Sequence, residues 1–176
     1  MDETNTSIRI DLPKTLKNLP DFSIELKLAG GSGMLVAGVD EVGRGTLAGP
    51  VVAAAAILPG PVPVEHESLV NDSKILSPTT RKKAFAWLVK WSVSYGIGAC
   101  SADEIDSIGI VASTKQAMLR AVAELDPQPS HLIIDALQLP AVAISQTSNV
   151  KADSRSQSVA AASIIAKVTR EKLVSD

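Results

Sequence analysis

Short apolar runs separated by glycine, proline and charged residues follow one another along the chain, a pattern typical of α/β proteins. Residues 36–40 and 51–58 predict two buried strands, and the short glycine-rich turn between them favours an antiparallel pair. Partial alternation over residues 91–100 and brief apolar runs over 131–135 and 141–145 predict three further strands. The pattern therefore predicts a sheet of five strands.

Three longer segments have the patterns of helices. Residues 78–91 follow Ser77 and begin with Pro78, a good N-cap and first-turn pair. Residues 112–125 carry apolar side chains at helical spacing, and residues 156–174 have the alanine-rich composition of a buried helix. Strands and helices thus alternate along most of the chain.

Length and composition narrow the class of protein. With 176 residues and a hydrophobic fraction of 45%, the chain can bury one sizeable core, and we expect a single domain over residues 20–176. Residues 1–19 are polar, and we expect a flexible N-terminal extension there. Aromatic residues make up only 3%, so the core must consist of Val, Ile, Leu and Ala, which suits a parallel or mixed sheet covered by helices.

Charge and residue usage exclude several kinds of site. A net charge of −2 gives no overall electrostatic sign of a nucleic-acid-binding protein. The lone Cys100 excludes an internal disulfide, and the two histidines, His66 and His131, argue against a histidine metal cluster. The apolar run over residues 51–58 is far shorter than the roughly 20 residues of a membrane-spanning helix. Because a secretory signal pattern is also missing, we expect a cytoplasmic protein outside the membrane.

Acidic residues stand at the ends of two predicted strands. Asp40 and Glu41 end the first, Asp135 ends the strand over residues 131–135, and Asp153 directly precedes the alanine-rich helix. A carboxylate at the end of a buried strand is costly unless it is paired, protonated or bound to a cation. Oxygen ligands suit hard divalent ions such as Mg²⁺, and a bridging Asp40 would allow two ions to bind. The alternative is a strand end followed by an ordinary acidic turn.

A second interpretation concerns the glycine-rich turn itself. Gly43, Gly45 and Ala48 have the spacing of a dinucleotide-binding fingerprint. The match is weak because Pro50 and another bounded apolar run follow, instead of an amphipathic helix. Metal-independent dinucleotide binding remains an alternative at this point.

Four longer motifs resemble the ribonuclease HII family over roughly residues 20–174. They are AGVDEVGRGTLAGPVVAAAAIL, NDSKILSP, IIDALQLP and KADSRSQSVAAASIIAKVTRE, and they occur in the family's order. The resemblance implies a ribonuclease H-like fold with a mixed five-stranded sheet flanked by helices. It also implies hydrolysis of RNA paired with DNA, including cleavage 5′ of single ribonucleotides embedded in duplex DNA, with 3′-hydroxyl and 5′-phosphate products.

The resemblance also assigns roles to individual residues. The family's four catalytic, metal-binding carboxylates fall on Asp40, Glu41, Asp135 and Asp153, and two Mg²⁺ or Mn²⁺ ions are implied there. The family's Gly-Arg-Gly segment falls on Gly43, Arg44 and Gly45, where backbone groups would sense the ribose 2′-hydroxyl. Lys74 matches a contact to the nucleic-acid backbone phosphate. We expect a monomer that acts on RNA–DNA hybrids or on duplexes containing ribonucleotides.

The chain departs from the family pattern at three places. Ala136 stands where the family has glycine after the third acid, and Ile75 replaces a second lysine. The family's C-terminal helices and their tyrosine have no match, since Tyr95 lies in a predicted strand. A second hypothesis is therefore a weakly active or inactive truncated relative that only binds hybrid duplexes.

Overall fold

A computed structural model of the chain describes residues 19–31, 33–45, 49–149 and 151–175. It contains a single mixed sheet within these ranges, made of β1 (Val36–Val42), β2 (Val51–Ile57), β3 (Ser94–Cys100), β4 (His131–Asp135) and β5 (Ser145–Asn149). The strand order is β3-β2-β1-β4-β5. Strand β2 pairs antiparallel with both β1 and β3, while β4 pairs in parallel with β1 and β5. The predicted mixed five-stranded sheet is confirmed.

Helices cover both faces of this sheet. They are α1 (Ser23–Ala29), α2 (Pro78–Trp91), α3 (Ala102–Ile108), α4 (Ile110–Ala123) and α5 (Gln157–Ser175). Helix α4 packs on one face, where Val39, Ala53 and Met118 belong to one apolar cluster. Helices α2 and α5 pack on the other, where Ala54, Leu88 and Ile164 belong to a second. No helix in the described part of the chain has both the length and the apolar character needed to cross a membrane.

The three predicted helices are confirmed within about two residues, and the Ser77 N-cap is present, since its hydroxyl accepts a hydrogen bond from the amide of Thr80. Helix α1 was not predicted. It is only seven residues long, and Gly30 ends it in the left-handed conformation. Most of the predicted extension, residues 1–18, lies outside the described residues.

The position predicted for the fifth strand is wrong. The apolar stretch 141–145 is a loop as far as Ile144, and β5 is the polar edge strand that follows it. The side chain of Gln146 explains the loop, because it bonds to the amide and carbonyl of Leu139 and to the carbonyl of Val142. Val142 and Ile144 pack against the core from that loop, so burial does not require them to be in a strand.

Glycine allows α5 to lie directly against β1. A Cβ atom on Gly38 would be 2.2 Å from the backbone carbon of Ser158 and from the backbone nitrogen of Val159. Side chains two residues apart on a strand share a face, so Asp40 is on the same α5-facing side as Gly38. The close contact therefore fixes the distance between α5 and the end of β1 at which Asp40 lies.

We expect Gly38→Ala to destabilise the fold severely, by about 3 kcal/mol or more, because the obstructing atoms are backbone and cannot move aside. Chemical denaturation of the purified variant measures this loss. Gly60→Ala is the matched control, since nothing lies within 4 Å of a Cβ placed there. Equal stability of the two variants would contradict the packing described for α5.

Candidate active site

The parallel pairing of β1 with β4 brings two of the predicted acids to the same end of the sheet. Val39 and Ile134 are register partners, and each is followed directly by an acid, Asp40 and Asp135. The charge of Asp135 raises the pKa of Asp40 and also that of Glu41. Acids from two distant parts of the sequence are therefore close enough for the charge of one to affect the ionisation of the others.

Asp40 is the most perturbed acid of this group. Its side chain faces α5, and the residue is only 5% exposed. Burial, reinforced by the neighbouring charge of Glu41, raises the pKa of Asp40 from 3.8 to about 8. A hydrogen bond from Ser163 opposes this rise without cancelling it. Asp40 thus lies where a negative charge lacks sufficient compensation from the protein.

Glu41 has a partner for only one of its carboxylate oxygens. Its Oε1 lies 3.4 Å from Nη1 of Arg44, whereas Oε2 is buried and has no hydrogen-bond partner. Burial raises the pKa of Glu41, and the opposing charge of Arg44 does not fully offset this effect. A buried carboxylate oxygen without a donor is the kind of atom that a cation stabilises.

Asp135 and Asp153 are connected through the backbone. Oδ1 of Asp135 accepts a hydrogen bond of 3.1 Å from the amide of Ala152, the first residue of the 3-10 helix Ala152–Ser154. Asp153 lies in that short helix and is 3% exposed. This bond fixes the segment that carries Asp153 to the end of β4.

Lys74 contacts the acids from a different loop. Its Nζ lies 3.4 Å from Oδ2 of Asp153. Burial lowers the pKa of Lys74, but the charges of Asp153, Asp72 and Asp40 outweigh that effect and raise it overall. The three acids act on one ammonium group, so the structure brings Lys74 to the acidic end of the sheet as well.

The donor set fits divalent ions chemically, although the side chains are turned toward protein partners. No three carboxylate, imidazole or thiolate groups among the described residues converge as a ready-made metal cage. Arg44, Lys74 and the amide of Ala152 each hold one acid instead. The uncompensated burial of Asp40 and the free Oε2 of Glu41 nevertheless match what hard cations with oxygen ligands require.

The glycine-rich turn begins directly after these acids. Gly43 has φ +107°, and a Cβ there would be 2.6 Å from the carbonyl oxygen of Pro50 and 2.8 Å from Nε of Arg170. That Nε donates a 2.9 Å hydrogen bond to the same carbonyl. Gly45 is exposed, with nothing within 4 Å of an added Cβ. The backbone after Asp40 and Glu41 is thus accessible at Gly45 and closely packed at Gly43.

The dinucleotide-binding interpretation is not supported. Its third position, Ala48, lies outside the described residues, and the next regular element is strand β2 from Val51, where the fingerprint requires a helix. Between Gly49 and β2, where the structure again describes the chain, no helix N-terminus is present to receive a pyrophosphate.

Sequence reasoning missed several residues that support the site. Ser163 bonds to Asp40, and Ser73 bonds to Ser163. Arg81 is buried and donates to the carbonyls of Ser73 and Leu76, which fixes the loop before Lys74. Serine in an alanine-rich helix and arginine in a basic run gave no pattern that would separate them from ordinary helix residues.

Ala136, noted above as a departure from the family, has φ +55°. This left-handed conformation favours glycine, so alanine carries a steric cost directly after Asp135. The backbone here retains the conformation for which glycine is the natural residue.

Comparison with known proteins gives a consistent result. The family model for ribonuclease HII matches residues 37–176. The chain is 44% identical over 142 residues to a ribonuclease HII of Dehalococcoides mccartyi, and 50% identical over 137 residues to one of Geobacillus thermodenitrificans. These matches cover 81% and 78% of this chain but 67% and 51% of the relatives. The chain therefore spans about half to two thirds of their length.

Solved structures agree on the fold. The ribonuclease H2 from Pyrococcus horikoshii OT3 is 30% identical, with a TM-score of 0.67, over 81% of this chain and 74% of that one. Bst-RNase HIII in complex with Mn²⁺ is 25% identical, with a TM-score of 0.61, over 79% of this chain and 52% of that one. The predicted ribonuclease H-like fold is confirmed.

The raised pKa of Asp40 predicts how stability depends on pH without divalent ions. Because the folded state keeps a proton that the unfolded chain releases, the free energy of unfolding falls as pH rises from 3.8 to about 8. The Asp40→Asn variant has no ionisable group at this position, so its free energy of unfolding does not fall with pH for this reason. With a chelator present, we expect the variant to be more stable than the parent near neutral pH, by on the order of 1 kcal/mol for each pH unit above the unfolded pKa.

Thermal or urea unfolding at several pH values measures this difference, which should vanish near pH 4. Asp106→Asn, at an exposed position of α3, is the control and should show no such trend. A difference for Asp40→Asn that does not change with pH would count against the uncompensated burial of this carboxylate.

Proposed function

This chain belongs to the ribonuclease HII family, and from that premise we propose that it hydrolyses the RNA strand of RNA–DNA hybrids and cuts 5′ of single ribonucleotides in duplex DNA. The observation that supports this most directly is that Asp40, in the second half of β1, and Asp135, the last residue of β4, follow register partners on adjacent parallel strands. Glu41 adjoins the first, and the backbone contact to Ala152 connects the second to Asp153. Such acids can serve phosphodiester hydrolysis only together with cations.

We propose that Asp40, Glu41, Asp135 and Asp153 hold two divalent ions, Mg²⁺ or Mn²⁺. A structural neighbour, Bst-RNase HIII, is known as a Mn²⁺ complex. Bound there, such ions would lower the pKa of water and stabilise charge on the leaving oxygen. Attack of water on phosphorus with cleavage of the bond between phosphorus and the 3′ oxygen would leave 3′-hydroxyl and 5′-phosphate ends. The four side chains supply ligands and orientation, and no separate general acid or base is required of the protein.

We propose that the glycine-rich turn recognises the ribose of the substrate. Gly43 and Gly45 follow the acids by two to five residues in the chain, so their backbone groups lie close to the proposed reaction centre. A backbone can approach a sugar closely only where side chains do not intervene, as at Gly45. The 2′-hydroxyl is the group that distinguishes RNA from DNA, and Arg44 can pair with an adjacent phosphate.

Lys74 is the proposed contact to the nucleic-acid backbone. Its side chain is 76% exposed, although the side chain of its partner Asp153 is buried. An exposed ammonium at 3.4 Å from a buried carboxylate is weakly held, and the phosphate of a duplex can attract it. Lys74 would thus add to Arg44 a second positive charge beside the acids.

We expect Asp40→Asn to abolish cleavage of a duplex with one embedded ribonucleotide, in Mg²⁺ and in Mn²⁺, because the amide cannot replace an ionised ligand. Product gels with end-labelled substrate give the rate and the position of the cut. Asp106→Asn should cleave like the parent. Full activity of Asp40→Asn would falsify the assignment.

A binding assay run beside the cleavage assay addresses the hypothesis of a relative that only binds hybrids. Tight binding by the parent chain without any cut at saturating Mn²⁺ would support that hypothesis and reject the nuclease. Cleavage by the parent together with binding but no cleavage by Asp40→Asn supports the nuclease.

The phosphate contact of Lys74 makes a separate prediction. Lys74→Ala should weaken duplex binding and reduce the slope of log K against log salt by about 0.9, the contribution of one phosphate contact. Fluorescence anisotropy at several salt concentrations, with Ca²⁺ in place of Mg²⁺, measures both quantities. Lys115→Ala, on α4 at the opposite face of the sheet, is the control. An unchanged salt slope for Lys74→Ala would remove Lys74 from the interface.

A further inference from the structure

Two buried serines connect Asp40 to the loop that carries Lys74. Ser163 is 5% exposed, and hydrogen bonding by its side chain lowers the pKa of the Asp40 carboxyl. Its Oγ lies 2.9 Å from Oγ of Ser73, which is 4% exposed. Buried hydroxyls without partners are costly, and this contact gives each of the two a partner. Their joint position points to a role at Asp40.

The packing of α5 on β1 determines which residue of α5 reaches Asp40. Helix and strand touch at Gly38, against the backbone of Ser158 and Val159. From there to Asp40 the strand advances about 6.6 Å over two residues. The five residues from Ser158 to Ser163 advance about 7.5 Å along the helix. Ser163 therefore lies opposite Asp40 because of the contact at Gly38.

The hydrogen-bonding capacity of the two hydroxyls determines which one donates along the series from Ser73 through Ser163 to Asp40. A hydroxyl has one proton to donate and can accept in addition, whereas a carboxylate oxygen accepts. If Ser163 donates to Asp40, its oxygen is left to accept from Ser73. Serial bonds of this kind reinforce one another in a buried setting. Ser73 thus orients the hydroxyl that orients the carboxylate.

The loop of Ser73 is itself anchored to α5. Nη1 of Arg81 donates a 2.9 Å hydrogen bond to the carbonyl of Ser73, and Nη2 of Arg81 lies 2.8 Å from Oε1 of Glu171. The next residue, Lys74, reaches Asp153. A single short loop therefore contacts Asp40 through Ser163 and Asp153 through Lys74.

We propose that Ser163 is a positioning residue that fixes the orientation of the Asp40 carboxylate toward a divalent ion, and that Ser73 fixes Ser163. This inference rests on the proposed function, since it concerns the same acids. Bonds that orient metal ligands typically change metal affinity or activity by 10–100-fold when they are removed. The serines themselves touch neither substrate nor ion in this proposal.

The chain offers a matched control in the same helix. Ser158 is fully buried in α5, and its hydroxyl has no hydrogen-bond partner. Ser163→Ala and Ser158→Ala therefore remove the same atom from one helix at similar burial, but only the first removes a bond to Asp40. Titration calorimetry with Mn²⁺ alone, without nucleic acid, compares their metal affinities, and thermal unfolding in chelator compares their stabilities.

We expect Ser163→Ala to bind Mn²⁺ roughly 10–100-fold more weakly than the parent, while Ser158→Ala stays within about twofold. Ser73→Ala should show a smaller loss, because the bond from Ser163 to Asp40 survives. In cleavage assays, the Mn²⁺ concentration for half-maximal rate should rise in the same order. If Ser163→Ala does not fold, a loss of Mn²⁺ affinity in folded Ser73→Ala supports the proposal, and an unchanged affinity overturns it.

Other outcomes distinguish a failure of the positioning role of Ser163 from a failure of the proposed nuclease function. Parent-like Mn²⁺ affinity in Ser163→Ala, with a parent chain that binds Mn²⁺ and cuts, overturns the positioning role alone. Equal losses in Ser163→Ala and Ser158→Ala also overturn it, since the effect would then be general to the helix. A parent chain that neither binds Mn²⁺ nor cuts rejects the proposed function, and the positioning role with it.

Discussion

The burial of one carboxylate, Asp40, is the constraint on which the rest of this structure depends. Its position in the second half of β1 is set by pairing with β2, and burial combined with the charge of Glu41 raises its pKa to about 8. A fold designed for stability alone would place an apolar or hydrogen-bonding residue there. The cost is tolerated in many proteins where a site requires it, and the surrounding acids make cation binding the simplest reason for it here.

Small residues make that burial geometrically possible. Strand β1 carries Gly38 on the side that faces α5, and α5 contains a run of alanines. Because these residues are small, the two backbones approach closely. The register of Ser163 against Asp40 follows from this approach. A larger residue at position 38 would push α5 outward and move Ser163 away from the carboxylate whose pKa it lowers. The packing of α5 on β1 therefore also determines the geometry around Asp40.

Much of this could be predicted from the sequence, and the exceptions have physical causes. Strand-end acids stand out because charge after an apolar run is costly, so Asp40 and Asp135 were found. The edge strand β5 was misplaced because its polar residues SQTSN lack the burial that periodicity detects, while the apolar loop before it imitates a strand. Ser163 and Arg81 were missed because their importance depends on contacts across more than 70 residues, which no local pattern records.

Two of the acids, Glu41 and Asp153, are partly balanced by the protein's own cations, and the quality of those contacts matters for how the site can work. Arg44 and Lys74 each lie 3.4 Å from an acid, longer than a strong charge-assisted bond, and both are substantially exposed. By contrast, Arg81 is buried and reaches Glu171 at 2.8 Å, a contact that holds two helices together. In the proposed function, cations held this loosely would leave a carboxylate for a phosphate once ions bind to the acids. On that proposal, the same two side chains compensate the acids before substrate binds and the phosphates of the nucleic acid afterwards.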